Sequence, residues 1–562
     1  MKRTDSLENK FIKREVFMSE NNVFGKNFKQ EVSNSVKELV EMVSSTMGPF
    51  GRTILIGSGK EEIPFSTKDG VTVARHFSYN GIAGNAGAKL IKQAAERSNS
   101  IAGDGTTTAT VLAGSIYDLA EKSINSVGYK VLLKELKEGM DFIINEIESK
   151  LKTKYVKDIT SFQDIQDVAI ISGNSKDIGT IVATAIEKSG KDGTISVEKS
   201  NTTETVIDFV EGFKFKGTYL SSRFCTDQQR KLIKYNEPLI FVTDETISAI
   251  EDLFPVLEIA ARHKKPLLIV AGDVIEQALA GLIANAMNGS MKVAAVKLNS
   301  YGEYKEDILE DLAIATGATF FSKSNMNMGL GKELFKNVSL KDFGKASRIE
   351  ISSLFSLIVG GEGNEEKIEE RKNFIKDLLQ QTESEYLSEH LQERFTRLNS
   401  GVILIKVGGV TEGEVTEKRY RIEDAIGAVM SAQEQGIVPG GGIFLYKISQ
   451  EISRYKMNKK HSKSFILGMN ILLDAMKAPF SKILENGGYS VEYISEKIQK
   501  EYSNSKHLNY GFDIERNEFV DMFKQGIVDP YKVVYVALVN AVSAALQLIN
   551  VAGFIEISNE KS

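Results

Sequence analysis

The stretch Ala102-Gly103-Asp104-Gly105-Thr106-Thr107-Thr108-Ala109-Thr110 sets two glycines around an acid and then three threonines, and Leu112, Ile116, Leu119 and Ala120 follow at helical spacing. It reads as a loop entering a helix. The first turn of a helix leaves backbone N–H groups unpaired and partly positive, and flanking glycines let a bulky oxyanion reach them. Asp104 is at odds with a bare anion site. A carboxylate about 4 Å from a phosphate oxygen repels it by roughly 4 kcal/mol at an effective dielectric near 20, against the ~0.3–1 kcal/mol that a helix end returns. A divalent cation between the two reverses the sign. On that reading Asp104 is a Mg²⁺ ligand, and Thr106 to Thr108 offer hydroxyl and N–H donors to a nucleotide phosphate. The plainer alternative makes Thr106 an N-cap and Asp104 a turn residue.

At 562 residues the chain is too long for one core, so several domains are expected. Apolar residues make up 42% and charged residues 26%, the balance of a soluble globular protein. The net charge of −5 and the lack of basic clusters interleaved with aromatics give no support to a nucleic-acid partner. One cysteine, Cys225, excludes an internal disulfide framework, and the five histidines have no metal-ligand spacing, which fits a reducing, cytoplasmic setting. Met1 to Phe17 mixes basic and acidic residues without an apolar core and is expected to be a disordered extension, with Met18 as a second candidate start. The apolar run Val533 to Phe554 carries Asn540, Ser543, Gln547 and Asn550 on one helical stripe, so a buried core helix is expected rather than a membrane span.

Val32, Val36, Leu39, Val40 and Val43 share a helical face, and that helix stops at the glycine loop Thr46-Met47-Gly48-Pro49-Phe50-Gly51-Arg52. A short hairpin begins at Thr53 to Ile56. Its Gly57-Ser58-Gly59-Lys60 fails as a P-loop, since Ile54 stands where the leading glycine belongs and Glu61 where the hydroxyl residue belongs. Ser66-Thr67-Lys68-Asp69-Gly70 is a third loop. In the middle of the chain Leu239 to Val242, Leu267 to Ala271, Lys292 to Val296 and Thr319 to Phe321 read as buried strands alternating with helices, which implies a parallel sheet. No G-x-G-x-x-G follows any of them, leaving little for a dinucleotide. Two helices there, one with Ile250, Leu253, Phe254, Val256, Leu257 and Ile259 and one with Ala278, Leu279, Leu282, Ile283, Ala286 and Met287, carry more apolar surface than a ~100° core-facing stripe. They are either deep core or an exposed groove. The charged run from Glu365 to Leu398 reads as a solvated helix without chemistry.

Four further segments complement the opening loop: Arg421-Ile422-Glu423-Asp424-Ala425-Ile426, Gly436-Ile437-Val438-Pro439-Gly440-Gly441-Gly442, Asn509-Tyr510-Gly511-Phe512-Asp513 and Gly526-Ile527-Val528-Asp529-Pro530. Together with Thr46 to Arg52, Lys68 to Gly70 and Asp104 to Thr108, they match one family in order and wording. Over about residues 22–552 the chain resembles a group I chaperonin, of the GroEL type.

The resemblance implies a multidomain α plus α/β fold in a seven-membered ring. An equatorial domain (22–151 and 436–554) would come from both chain ends, an intermediate domain from 152–211 and 402–435, and an α/β apical domain from 212–401, with 1–21 as extension and 555–562 as tail. ATP would be bound by Thr46, Met47, Gly48, Pro49, Lys68, Asp104, Gly105, Thr106, Thr107, Thr108, Gly441, Asp513, Ile514 and Asp529. Asp104 would hold Mg²⁺, with K⁺ as a further cation. Asp424 would orient or deprotonate the attacking water, assisted by Asp69, as phosphoryl transfer requires. Apical Tyr219, Ser221, Phe224, Phe254, Leu257, Leu279, Ile283 and Ala284 would hold non-native polypeptides and a lid-forming co-chaperonin of the GroES type, and Gly212, Gly401 and Gly436 would be hinges. The implied function is an ATP-hydrolysing folding chamber. A Mg²⁺-dependent small-molecule phosphotransferase, or a ring scaffold without ATP turnover, are the competing readings.

The chain departs from that pattern in three places. Arg223 replaces an apical tyrosine. Ile555 to Ser562 do not match the Gly-Met-rich tail that the resemblance leads one to expect. In Lys477 to Val491, Ser481 replaces an arginine and the acid used between rings is lacking, so a second ring is expected to be weak or absent.

Overall fold

The computed structural model describes residues 23–57, 64–189, 194–200, 202–228, 231–298, 303–322, 335–353, 355–382, 384–399, 401–454, 461–501 and 508–555. The expectations for the N-terminal extension and for tail residues 556–562 lie outside them. Contacts divide the chain into two compact units, Met1–Thr184 with Gly409–Ser562, and Ala185–Gly408.

The first unit is a helical bundle. Gly25–Ser44 buries Phe28, Val32, Val36, Leu39 and Val43, a 3.6-residue rhythm that sets one face on the helices Ile82–Ala102 and Thr106–Ser126. Tyr531–Asn550 packs against the same two helices. That segment is long and apolar enough to cross a membrane by composition, yet Val534, Ala537, Leu538, Ala541, Val542, Ala545 and Leu548 are buried against neighbouring helices. Its polar stripe does what a core helix needs: Asn540 Nδ2 donates to Ser98 Oγ (3.1 Å), and Ser543 and Gln547 face outward. Short antiparallel pairs complete the unit, Ile54–Ile56 with Phe65–Thr67, Tyr510–Asp513 with Glu518–Asp521, and Ile437–Pro439 with Val528–Pro530. In the last pair Val438 lies opposite Asp529.

The second unit is built on an eleven-stranded sheet. Phe320–Phe321, Leu239–Thr243, Leu267–Ala271 and Val293–Leu298 lie side by side in that order and run parallel. Leu239–Thr243 and Leu267–Ala271 are buried at every position, as strands covered on both faces are. Phe254–His263, Glu276–Met287 and Glu303–Thr316 are helices that alternate with these strands. Gly344–Ile351, Ser356–Gly361, Val206–Phe215 and Gly401–Val407 extend the sheet antiparallel, and Thr194–Lys199 closes that edge parallel to Gly401–Val407.

The charged run is not merely a solvated helix. It forms two helices, Glu365–Gln381 and Glu385–Asn399, tied into the unit by ion pairs to the buried Asp311. Arg371 Nε donates to Asp311 Oδ1 (2.8 Å), and Arg394 donates to both carboxylate oxygens (2.8 and 2.9 Å). The pair also buries Ile375, Leu391 and Leu398 in the core of the unit, an apolar face that the surrounding charge hides in the sequence.

Candidate functional site

The Thr106–Ser126 helix starts after Gly105, which is left-handed (φ 90°), as is Gly103 (φ 73°). A Cβ at Gly105 would also come 2.8 Å from Val533 Cγ1. The cap is therefore a glycine and not Thr106, which is the first helical residue, so the opening N–H groups have no side-chain cap. Thr107 Oγ1 occupies the space that a Cβ on Gly70 would need, 2.0 Å away, which brings the Lys68-Asp69-Gly70 loop onto the helix start. Asp69 caps the Gly70–His76 helix, accepting from the Val71 and Thr72 N–H groups (3.0 Å each) and the Thr72 hydroxyl (2.6 Å).

Asp104 Oδ1 accepts from the Gly105 N–H (2.5 Å) and Oδ2 from the Ser172 hydroxyl (2.7 Å). Burial raises its carboxyl above the usual range and Asp69 adds to the rise, while those two hydrogen bonds oppose it. Asp529 sits on the strand beside Gly441 and Gly442. Burial pushes it up to about 7, Asp104 adds to this, and the N–H groups of Gly442 and Gly441 pull it back. Asp104 thus lies within electrostatic reach of both Asp69 and Asp529. Acids so placed at an uncapped helix start suit a divalent cation shared with an anion. Among the described residues no group of three or more His, Cys, Asp or Glu is arranged to hold a metal unaided. A cation held by Asp104 would draw its remaining ligands from phosphate and water, as Mg²⁺ commonly does.

Gly441 and Gly442 are both left-handed (φ 66° and 74°), and a Cβ on Gly442 would meet Phe480 N at 2.6 Å. On the other flank Thr46 Oγ1 donates to Val43 O (2.7 Å), Met47 is buried, and Asn486 Nδ2 ties down the carbonyls of Ser44 (2.8 Å) and Met47 (3.0 Å). Gly48 is left-handed against Ile483, and Lys68 Nζ donates to the Pro49 carbonyl (3.2 Å). Burial and the nearby Arg421 lower the Lys68 pKa, against Glu417 and Glu515.

Asp424 belongs to the helix Glu412–Gln435, which crosses the opening loop at a glycine pair. A Cβ on Gly427 would lie 2.6 Å from Gly103 O, and one turn further on the Ser431 hydroxyl donates to Ala102 O (2.6 Å). Asp424, one turn the other way, is half-buried about 4.5 Å along the axis from that crossing.

Asp513 is engaged within its own hairpin turn, accepting from the N–H groups of Glu515 (3.0 Å) and Arg516 (3.2 Å). Ile514 is buried in a cluster with Ile443 and Phe512, and its carbonyl takes the Tyr489 hydroxyl (3.0 Å). Sequence reading missed Ser172, Gly427 and Met522, the last of which backs Gly441. A serine ending one helix and a glycine inside another carry no signal until the chain is folded.

In the second unit Phe254 is 55% exposed, Ala284 is exposed, and Leu279, Ile283, Tyr219 and Ser221 are half-buried. Phe224 and Leu257 are core residues, 2% and 9% exposed, and do not belong to an exposed groove as expected. They belong to the same buried apolar cluster as the sheet residues. Gly212 and Gly401 lie in paired strands, where a Cβ on Gly212 would meet Val402 Cγ2 at 2.0 Å. In the first unit, Gly436 (φ 78°) follows the Glu412–Gln435 helix.

The family profile of TCP-1/cpn60 chaperonins matches residues 39–557. The chain belongs to the chaperonin family. Chaperonin gp146 of bacteriophage EL 2 (Pseudomonas aeruginosa), crystallised in the presence of ATP-BeFx, has the same fold over 96% of this chain and 99% of its own. The TM-score is 0.63 at 21% identity for crystal form II and 0.58 at 22% for crystal form I. This chaperonin chain is therefore a divergent member, and its site rests on its own residues.

Proposed function

We propose that this chain is an ATP-hydrolysing chaperonin subunit that assembles into seven-membered rings, captures non-native polypeptides on its apical surface and encloses them, with a lid-forming co-chaperonin and a cytosolic setting. The observation that carries this is Asp104, within electrostatic reach of Asp69 and Asp529 at an uncapped helix start, with the Asp424 helix docked on the same loop and Asp424 one turn from the crossing. The left-handed glycines and the opening N–H groups at Thr106 to Thr108 receive phosphate oxygens. Asp104 holds Mg²⁺, oriented by Ser172. That ion, when bound, supplies positive charge to offset the phosphoryl group. Asp529 accepts from a nucleotide hydroxyl. Asp69, fixed by its three capping bonds, keeps lone pairs for a water, and Asp424 orients that water and takes its proton.

Phosphate release and nucleotide binding by Asp424→Ala test the reading. Binding should persist while hydrolysis falls by roughly 10²–10⁴-fold, the range of general-base loss. An unchanged rate contradicts it.

A further inference from the structure

Along the Glu276–Met287 helix, Ile275, Leu279, Ile283 and Met287 recur every four residues and form one stripe. Ile275 is 37% and Met287 60% exposed, so the stripe opens outward at both ends. The Ser222–Phe224 turn lies against the Met287 end. Phe224 anchors it in the core, and Ser221 Oγ accepts the Arg223 N–H (3.3 Å) and sets the turn. Arg223 then reaches across to Met287, with Nη1 3.4 Å from Sδ. Among the described residues its guanidinium has no carboxylate partner.

A cation at the edge of an apolar stripe is selective. Docking a neutral segment strips water from the guanidinium without return, whereas a carboxylate restores a charge-assisted, two-point contact that suits Arg. A lysine brought to the same place meets like charge. We infer that Arg223 makes this surface prefer apolar segments flanked by an acidic residue over those flanked by a basic one. The inference rests on the proposal that this unit captures non-native chains, and it adds which chains.

The test uses the full-length protein and fluorescein-labelled short peptides, identical in their alternating apolar residues and differing only in a terminal Glu, Gln or Lys. Anisotropy at low salt should show the Glu peptide bound about 3–10-fold tighter than the Gln peptide and the Lys peptide weaker, a gap that narrows near 0.5 M salt as exposed charges are screened. In Arg223→Gln the Glu-to-Gln ratio should fall to about one, and in Arg223→Glu the order should invert, which a misfolded variant would not do. Equal affinity for all three peptides, or an order unaltered by Arg223→Glu, overturns the role of Arg223 alone. If no peptide binds, because another part of the chain or a second copy covers the stripe, the capture reading falls and the inference with it.

Discussion

Asp104 and Lys447 show the same force, burial of an ionisable group, put to different ends. Asp104 is raised by burial beside Asp69, and Ser172 holds one of its oxygens. Ser172→Ala should therefore raise the Mg²⁺ concentration needed for half-maximal ATP hydrolysis by about tenfold or more, with the maximal rate less affected, since one hydrogen bond to a charged group contributes about 1.5–3 kcal/mol. An unchanged Mg²⁺ requirement contradicts this. Lys447 has no part in the proposed chemistry. It is 8% exposed, its Nζ donates to Leu508 O (3.1 Å), and burial lowers its pKa from 10.5 to about 8, with Asp521 opposing. Below pH 8 the folded chain keeps a buried ammonium at a cost. Between about 8 and 10.5 the folded chain releases that proton while the unfolded chain still holds it, so stability rises with pH across this window. Lys447→Met removes the titrating group, so the rise in stability between about pH 7 and pH 10 that the wild type shows should be absent or much smaller in the variant. Urea unfolding at the two pH values checks it.

The Glu412–Gln435 helix reaches the opening loop only because two glycine backbones meet there. Gly427→Val would put atoms within 3 Å of Gly103, and close-packed backbone does not yield cheaply. The helix should lift and carry Asp424 with it. ATP hydrolysis is then expected to drop at least tenfold while nucleotide affinity, set at the other side of the loop, changes little; equal losses in both would place the damage in the binding loop itself. The helices of the second unit divide in a similar way between exposed and buried positions. Phe254→Glu, on an exposed position, should weaken capture of a denatured protein and leave ATP turnover intact. Leu257→Ser, in the core, should instead destabilise that unit by about 2–4 kcal/mol, visible as increased proteolysis.

The two chain ends meet in one unit, where Val23–Phe24 pairs with Gly553–Phe554 and Tyr531–Asn550 packs on the N-terminal helices. Assembly is a further step. In the segment where the resemblance leads one to expect charge between rings, Ser481 Oγ bonds back to Lys477 O (3.1 Å), and Lys477 and Lys482 pair locally with Asp474 and Glu485. We propose that rings of this protein are single or separate readily. Sedimentation at physiological salt should show a seven-subunit species, and a stable fourteen-subunit particle would refute this.

The order of glycine loops and acids was enough to read the chaperonin family, short apolar runs the parallel strands of the middle segment, and one polar stripe a core role for Val533 to Phe554, because backbone strain, strand burial and helical stripes leave local patterns. Other features have no local trace. Ser172 beside Asp104, Gly427 against Gly103, Phe224 and Leu257 turned into the core, and the docking of a charged helix pair on Asp311 depend on residues far apart in the chain. Pattern along a chain reports which surfaces want to be buried or bent. Which of them meet, and which polar group finds which partner, is settled only by packing.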